Sequence, residues 1–155
     1  MSQEDGTPRG DADPRSLRVT DFAVVRDVPT RWADEDTYGH VNNAVHYLLF
    51  DTAVNGWMIE QVGDMREHPS FGVVAETGCR YFGELRFPER IRCGIALGRL
   101  GTSSITYRLA LFGDRTEEPA ATGLFVHVYV DRDTRRPVPV PDDVRRAVSV
   151  LLPWP

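Results

Sequence analysis

Residues 31–62 read RWADEDTYGHVNNAVHYLLFDTAVNGWMIEQV, and the second half of this stretch decides the fold. No proline interrupts residues 44–62. Either Asn42 or Asn43 can cap a helix starting there, because a short amide side chain accepts a hydrogen bond from the orphan N–H groups of a first turn. Val45, Leu48, Leu49, Phe50, Ala53, Val54, Trp57, Met58, Ile59 and Val62 are apolar. At about 100° per residue they spread around nearly the whole helical wheel. A helix apolar on all sides is expected to be buried, not laid on a surface.

What lies on either side of this helix is extended. Residues 22–31 (FAVVRDVPTR) carry β-branched residues, with Pro29 marking an edge or a bulge. After Gly63, strands are expected over residues 71–85, 90–100, 103–112 and 120–130, separated by short turns containing Gly, Pro or Asp. Short connections between strands mean antiparallel pairing. A proline-rich extended piece follows, then a short amphipathic helix beginning near Asp142. The first 16 residues, rich in Gly, Pro and acids, are expected to be a disordered tail ahead of one domain over residues 17–155. The chain therefore reads as α+β, a five-stranded antiparallel sheet wrapped around one long helix. Such a sheet leaves edges that native proteins cover or pair with a second subunit, so a homodimer or homotetramer is expected.

Composition excludes several function classes. The 155 residues carry a formal charge of −5, which disfavours nucleic acid as a partner. All 18 basic residues are arginine. Without lysine there is no Schiff base, pyridoxal-phosphate anchor or P-loop lysine, and anionic groups must be met by arginine, backbone amides or helix ends. Cys79 and Cys93 are the two cysteines; together with the lack of an apolar leader they lead us to expect a reducing, cytoplasmic setting. No apolar run approaches the roughly 18 residues that a membrane span needs, so no membrane partner is expected. No G-x-S-x-G serine elbow is present. His40 and His46 stand six apart, poor spacing for two metal ligands on one helix, and no metal is expected.

Candidate chemistry concentrates in residues 31–51. Asp34, Glu35 and Asp36 are followed by Gly-His-Val-Asn-Asn, which leads directly into the helix. An acid beside a helix N-terminus, where free N–H groups and the positive end of the dipole polarise a carbonyl oxygen, is a minimal apparatus for acyl hydrolysis. A solvated charged loop with an asparagine cap accounts for the same residues equally well.

Trp32, Asp34, Asp36, Gly39, His40, Val41, Asn42, Asn43, Tyr47 and Phe50 together resemble the signature of the hotdog-fold acyl-CoA thioesterases, in the 4-hydroxybenzoyl-CoA thioesterase-like branch. The likeness runs on more weakly through Tyr81, Ser104, Tyr129-Val130-Asp131 and Arg136-Pro137. It implies an acyl-CoA thioester hydrolase that needs no cofactor. It makes Asp36 the catalytic carboxylate, as general base or nucleophile, and places the backbone N–H near Asn43 on the thioester oxygen. Trp32, His40, Asn42, Tyr47 and Ser104 become candidates for substrate contact. Arg80, Arg86, Arg90, Arg135 and Arg136 are candidates for the CoA phosphates. Another branch uses a helix carboxylate, for which Asp51 and Glu60 are weaker candidates. A non-catalytic acyl-ligand binder, or a thioesterase acting on acyl carrier protein, stays open as an alternative.

Overall fold

The computed structural model describes residues 13–155. Strands β1 (Val24–Pro29), β2 (Ser70–Tyr81), β3 (Arg90–Leu100), β4 (Ser104–Phe112) and β5 (Ala121–Asp131) form one antiparallel sheet in the order β1-β3-β4-β5-β2. Helix α1 (Asn43–Val62) lies across one face of that sheet, and α2 (Asp142–Val148) packs beside it. This is the hotdog arrangement implied by the resemblance. Of the expected N-terminal tail, residues 1–12 lie outside the described residues. The rest contains a 3-10 turn (Pro14–Ser16) whose first N–H groups are capped by Asp13.

Strand alternation explains the two layers of core. Ile105, Tyr107, Leu109 and Leu111 of β4 face α1, where they meet Phe50, Val54 and Trp57. The opposite face of β4 buries Ala110 and Phe112 under Leu17 and Phe22. Period-two side-chain placement thus buries β4 on both faces. Two glycines permit close approaches that a β-carbon would forbid. A Cβ at Gly123 would stand 2.6 Å from the Phe50 ring, and one at Gly94 would stand 2.5 Å from Phe22.

The structure corrects two expectations about these elements. α1 is not enclosed on all sides: Leu48 and Ile59 are half exposed, on a stripe that also holds Ala44 and Thr52. A single sheet covers one side of a helix, and α2 covers only part of the rest. β2 ends at Tyr81, short of the expected residue 85, because the chain then leaves the sheet to support the loop before α1. The Leu85 carbonyl accepts the Val41 N–H at 2.7 Å.

Candidate active site

The loop between β1 and α1 is organised by Asp34. Its carboxylate is buried and accepts the Arg31 backbone N–H at 2.7 Å and the Arg31 guanidinium at 2.7 and 3.1 Å. Burial by itself would raise the Asp34 pKa, but these bonds outweigh it and hold the carboxyl below its ordinary value. The Asp34 carbonyl accepts the Asn42 N–H at 2.9 Å, which closes the loop at its base. Within it, the Asp36 N–H donates to the His40 carbonyl and the Gly39 N–H donates back to the Asp36 carbonyl. Gly39 sits at φ 81°, a left-handed conformation that favours glycine. Glu35 accepts the Phe87 N–H at 3.0 Å and fastens the loop to the segment after β2.

Asp36 contrasts with Asp34. One carboxylate oxygen accepts the Tyr38 N–H at 2.8 Å, and the other lies 3.6 Å from His40 Nδ1. No arginine pairs with it among the described residues. The side chain is partly exposed, so it keeps lone pairs free for water or substrate.

The helix start stands against this acid. Asn42 is the N-cap, its side chain accepting the Ala44 N–H at 2.9 Å. Asn43 is the first helical residue, whose N–H has no acceptor within the helix by position alone. The Tyr81 hydroxyl donates to the Asn43 carbonyl at 3.0 Å. Tyr81 is half exposed as a residue, but loss of water around its hydroxyl, helped by Cys79 and Tyr47, pushes the phenol above its usual range, so it remains a donor. His46 lies beneath this turn, its Nδ1 3.2 Å from the Asn42 carbonyl and its ring edge-on to Tyr81. Burial lowers the His46 pKa and keeps the imidazole neutral. Trp32, Glu35, Asp36, Tyr38, Asn42 and Asn43 line one open groove of about 730 Å³. Trp32 is largely exposed and rests edge-on against Phe87.

Most sequence candidates meet here. Trp32, Asp36, Asn42 and Asn43 line the groove, His40 lies against Asp36, and Tyr47 is one turn further along α1. Arg86 is near the groove, paired with Glu84, whose carboxyl it lowers with help from His40. Arg80 does not join them; its guanidinium sits over Phe82 beside a different depression. Ser104 and Arg136 lie at the other end of the sheet. Ser104 pairs with Val128 while Leu111 pairs with Ala121, seven residues along, or about 23 Å. Arg136 donates its backbone N–H to Thr134 beyond the end of β5. Arg90 is paired with Asp27 on the edge strand.

The sequence reading missed a second polar cluster. His127 of β5 and Tyr107 of β4 both line a cavity of about 200 Å³. Among the described residues, neither the His127 Nε2 nor the Tyr107 hydroxyl has a hydrogen-bond partner. Their inward positions on two neighbouring strands were the available signal.

The sequence profile of the thioesterase-like superfamily matches residues 30–148. The chain is 42% identical to the PA5185 protein of Pseudomonas aeruginosa strain PAO1, whose crystal structure superposes with a TM-score of 0.84 over 88% of this chain and 96% of that one. A thioesterase from Thermus thermophilus, crystallised with coenzyme A and Zn, is 28% identical with a TM-score of 0.70, over 83% of this chain and 94% of that one. YsmA of Bacillus subtilis strain 168 is 27% identical over 131 residues, 83% of this chain and 87% of its own.

Proposed function

From the premise that the chain belongs to the thioesterase-like superfamily, we propose that it hydrolyses an acyl-CoA thioester to a carboxylic acid and CoA, with Asp36 and the start of α1 as the reacting centre. One observation carries this reading: an acid free of any arginine partner and the orphan N–H of Asn43 line the same groove. Asp36 acts as a base on water or as a nucleophile. In the first case water adds to the thioester carbon, its proton passes to Asp36, the C–S bond breaks, and the CoA thiolate leaves and is reprotonated. The Asn43 N–H and the positive end of the helix dipole hold the developing oxyanion. Tyr81, by holding the Asn43 carbonyl, positions that turn. The coenzyme-A complex of the Thermus relative supports CoA as the carrier, and Arg86, beside the Phe87 that Trp32 and Glu35 touch, is our candidate to meet its phosphates.

The working unit is a homodimer, or a tetramer built from it, joined through β2. The two sheet edges differ in a way that favours this. β1 is short and ends in proline, and Arg26 and Asp27 tie it to Glu60 and Arg90. β2 offers twelve residues of unpaired edge, with Val74 and Tyr81 half exposed. A long bare edge invites a second copy. Antiparallel self-pairing about the middle of β2 sets Phe71 opposite Arg80 of the partner subunit. The test is a thiol-release screen across acyl-CoA chain lengths, with light scattering at micromolar concentration. Hydrolysis of at least one thioester by a species of at least twice the 17.5 kDa protomer mass is expected. An inert panel, or a monomer, removes the corresponding half of the reading.

A further inference from the structure

The cavity beneath β4 and β5 has no part in the chemistry above, yet it holds two buried polar groups with nothing to bond. The Tyr107 hydroxyl and the His127 Nε2 are buried and unpaired, with ring centroids 5.4 Å apart. Buried polar groups in native proteins are overwhelmingly hydrogen-bonded, to protein or to ordered water, so two such groups on the wall of one cavity offer an entering ligand two bonding positions. Val54, Met58, Met65 and Phe71 supply apolar walls. Gly72 leaves room for the imidazole: a β-carbon there would stand 3.2 Å from the His127 ring.

We propose that this cavity recognises a hydroxyl group carried on the far end of the substrate's acyl chain. The proposal rests on the thioesterase reading and names its substrate class, an apolar acyl group with a neutral hydroxyl. A hydroxyl both donates and accepts, so a single one on an acyl chain can satisfy a phenol and an imidazole together. A methyl at the same place would leave both orphans unpaired. A carboxylate would have to shed its water inside the cavity, while two nearby cations, Arg132 and Arg135, are stacked over the Phe71 ring at its border. Arg132 borders the cavity, but it already donates to the His68 and Met65 carbonyls, and Arg66 is paired with Asp64. Burial holds the imidazole neutral, which also suits an uncharged ligand.

Placement along the helix says from where the chain arrives. Val54 and Met58 are 11 and 15 residues beyond Asn43, about 16–22 Å at the helical rise. The β2 pairing proposed above brings Phe71 and Gly72, at the cavity mouth, opposite Arg80 and Cys79 of the partner subunit. The acyl chain then runs from the reacting centre of one subunit into the cavity of the other.

Two measurements test this. Matched acyl-CoA pairs, with and without a terminal hydroxyl, are compared by kcat/KM over acyl lengths of six to twelve carbons and for phenylacetyl against 4-hydroxyphenylacetyl. The wild type is expected to favour the hydroxylated member at least about tenfold at one length, and Tyr107→Phe to erase that preference, since a site built to bond a hydroxyl discriminates strongly against its absence. Calorimetry with p-cresol and toluene asks the same of the cavity without any turnover. Cresol is expected to bind more tightly, and Tyr107→Phe to level the two. If no thioester is hydrolysed but cresol is preferred, the cavity assignment stands and the thioesterase reading falls. If thioesters are hydrolysed with no preference for the hydroxyl, or with a preference that survives Tyr107→Phe, the cavity assignment is overturned. Should Tyr107→Phe fail to fold, equal binding of cresol and toluene by the wild type overturns it on its own.

Discussion

The loop before α1 and the cavity beside the far half of the helix handle polar groups in opposite ways. At the N-terminal end every loop group that faces inward is bonded: Asp34 to Arg31, Glu35 to the Phe87 N–H, Asn42 to the Ala44 N–H. Asp36 and the Asn43 N–H are free and face an open groove where water can serve them; behind the turn, the His46 Nε2 is buried and unpaired. Toward the C-terminal end the unpaired groups, Tyr107 and His127, are shut inside the protein. An exposed free group costs little until substrate arrives, whereas a buried group costs free energy unless something inside the protein bonds it. The proposals accordingly assign reactivity to the loop and recognition to the cavity.

That contrast can be broken by changing one group at a time. The largest effect is expected at Asp36. Asp36→Asn keeps the size and the bond from Tyr38, and should lower kcat by about 10²–10⁴-fold with little change in KM, the signature of a lost base. Thiol release on the best substrate of the screen checks it. A fall in kcat of under tenfold would move the chemistry away from this carboxylate.

Asn43→Pro comes next. Proline suits the first helical position, and Asn42, at φ −57° and ψ 139°, already has the extended backbone that precedes a proline. The variant should fold as the wild type does and lose the one N–H, giving roughly 10²–10³-fold lower kcat. Full activity in this variant would take the helix terminus out of the mechanism.

Asp34→Asn should act on stability instead. Losing a charged acceptor that serves the Arg31 side chain and backbone is expected to cost about 1–3 kcal/mol in denaturant titrations at pH 7. The pH dependence has a definite sign. Because the folded-state pKa lies below the ordinary 3.8, the charged carboxylate stabilises the fold above that value. The stabilisation is lost as pH falls through the lower, folded-state value. The gap between wild type and variant should therefore narrow on acidification below about pH 4. A gap that stays constant to pH 2 would mean that the Arg31 pair contributes nothing.

The smallest effect is expected at the other end of the helix. Tyr107→Phe removes a buried hydroxyl that has no partner, so without ligand it should melt at the wild-type temperature or slightly above, a gain of up to about 1 kcal/mol. A marked loss of stability would show that the hydroxyl is already satisfied in the folded protein.

Much of the first end was legible in the chain, because its interactions are local. Asn42 is two residues from the N–H that it caps, Asp34 three from the arginine that it pairs with, and Gly39 supplies its own left-handed turn. Groups so close along the chain meet whatever the rest of the molecule does, so helix, cap and loop could be read in advance. Between the two candidate cap residues the sequence left a choice that the loop closure decided. The bond from the Asn42 N–H to the Asp34 carbonyl sets the cap, and Asn43 thereby becomes the first helical residue.

What the sequence by itself determined was the order of elements, the strand alternation, the helix with its start, and the cluster of acid and amide before it. What only the tertiary structure decided was everything that joins distant parts of the chain. The Leu85 carbonyl under Val41 and the Tyr81 hydroxyl on Asn43 reach across some 40 residues, and Ser104 and Arg136 are carried away from the groove by the length of β4 and β5. Tyr107, which pairs with Phe125, meets His127 on the diagonal, and a slip of one residue in the register would turn either side chain to the opposite face. Register is a property of the assembled sheet, and no stretch of the sequence read alone contains it.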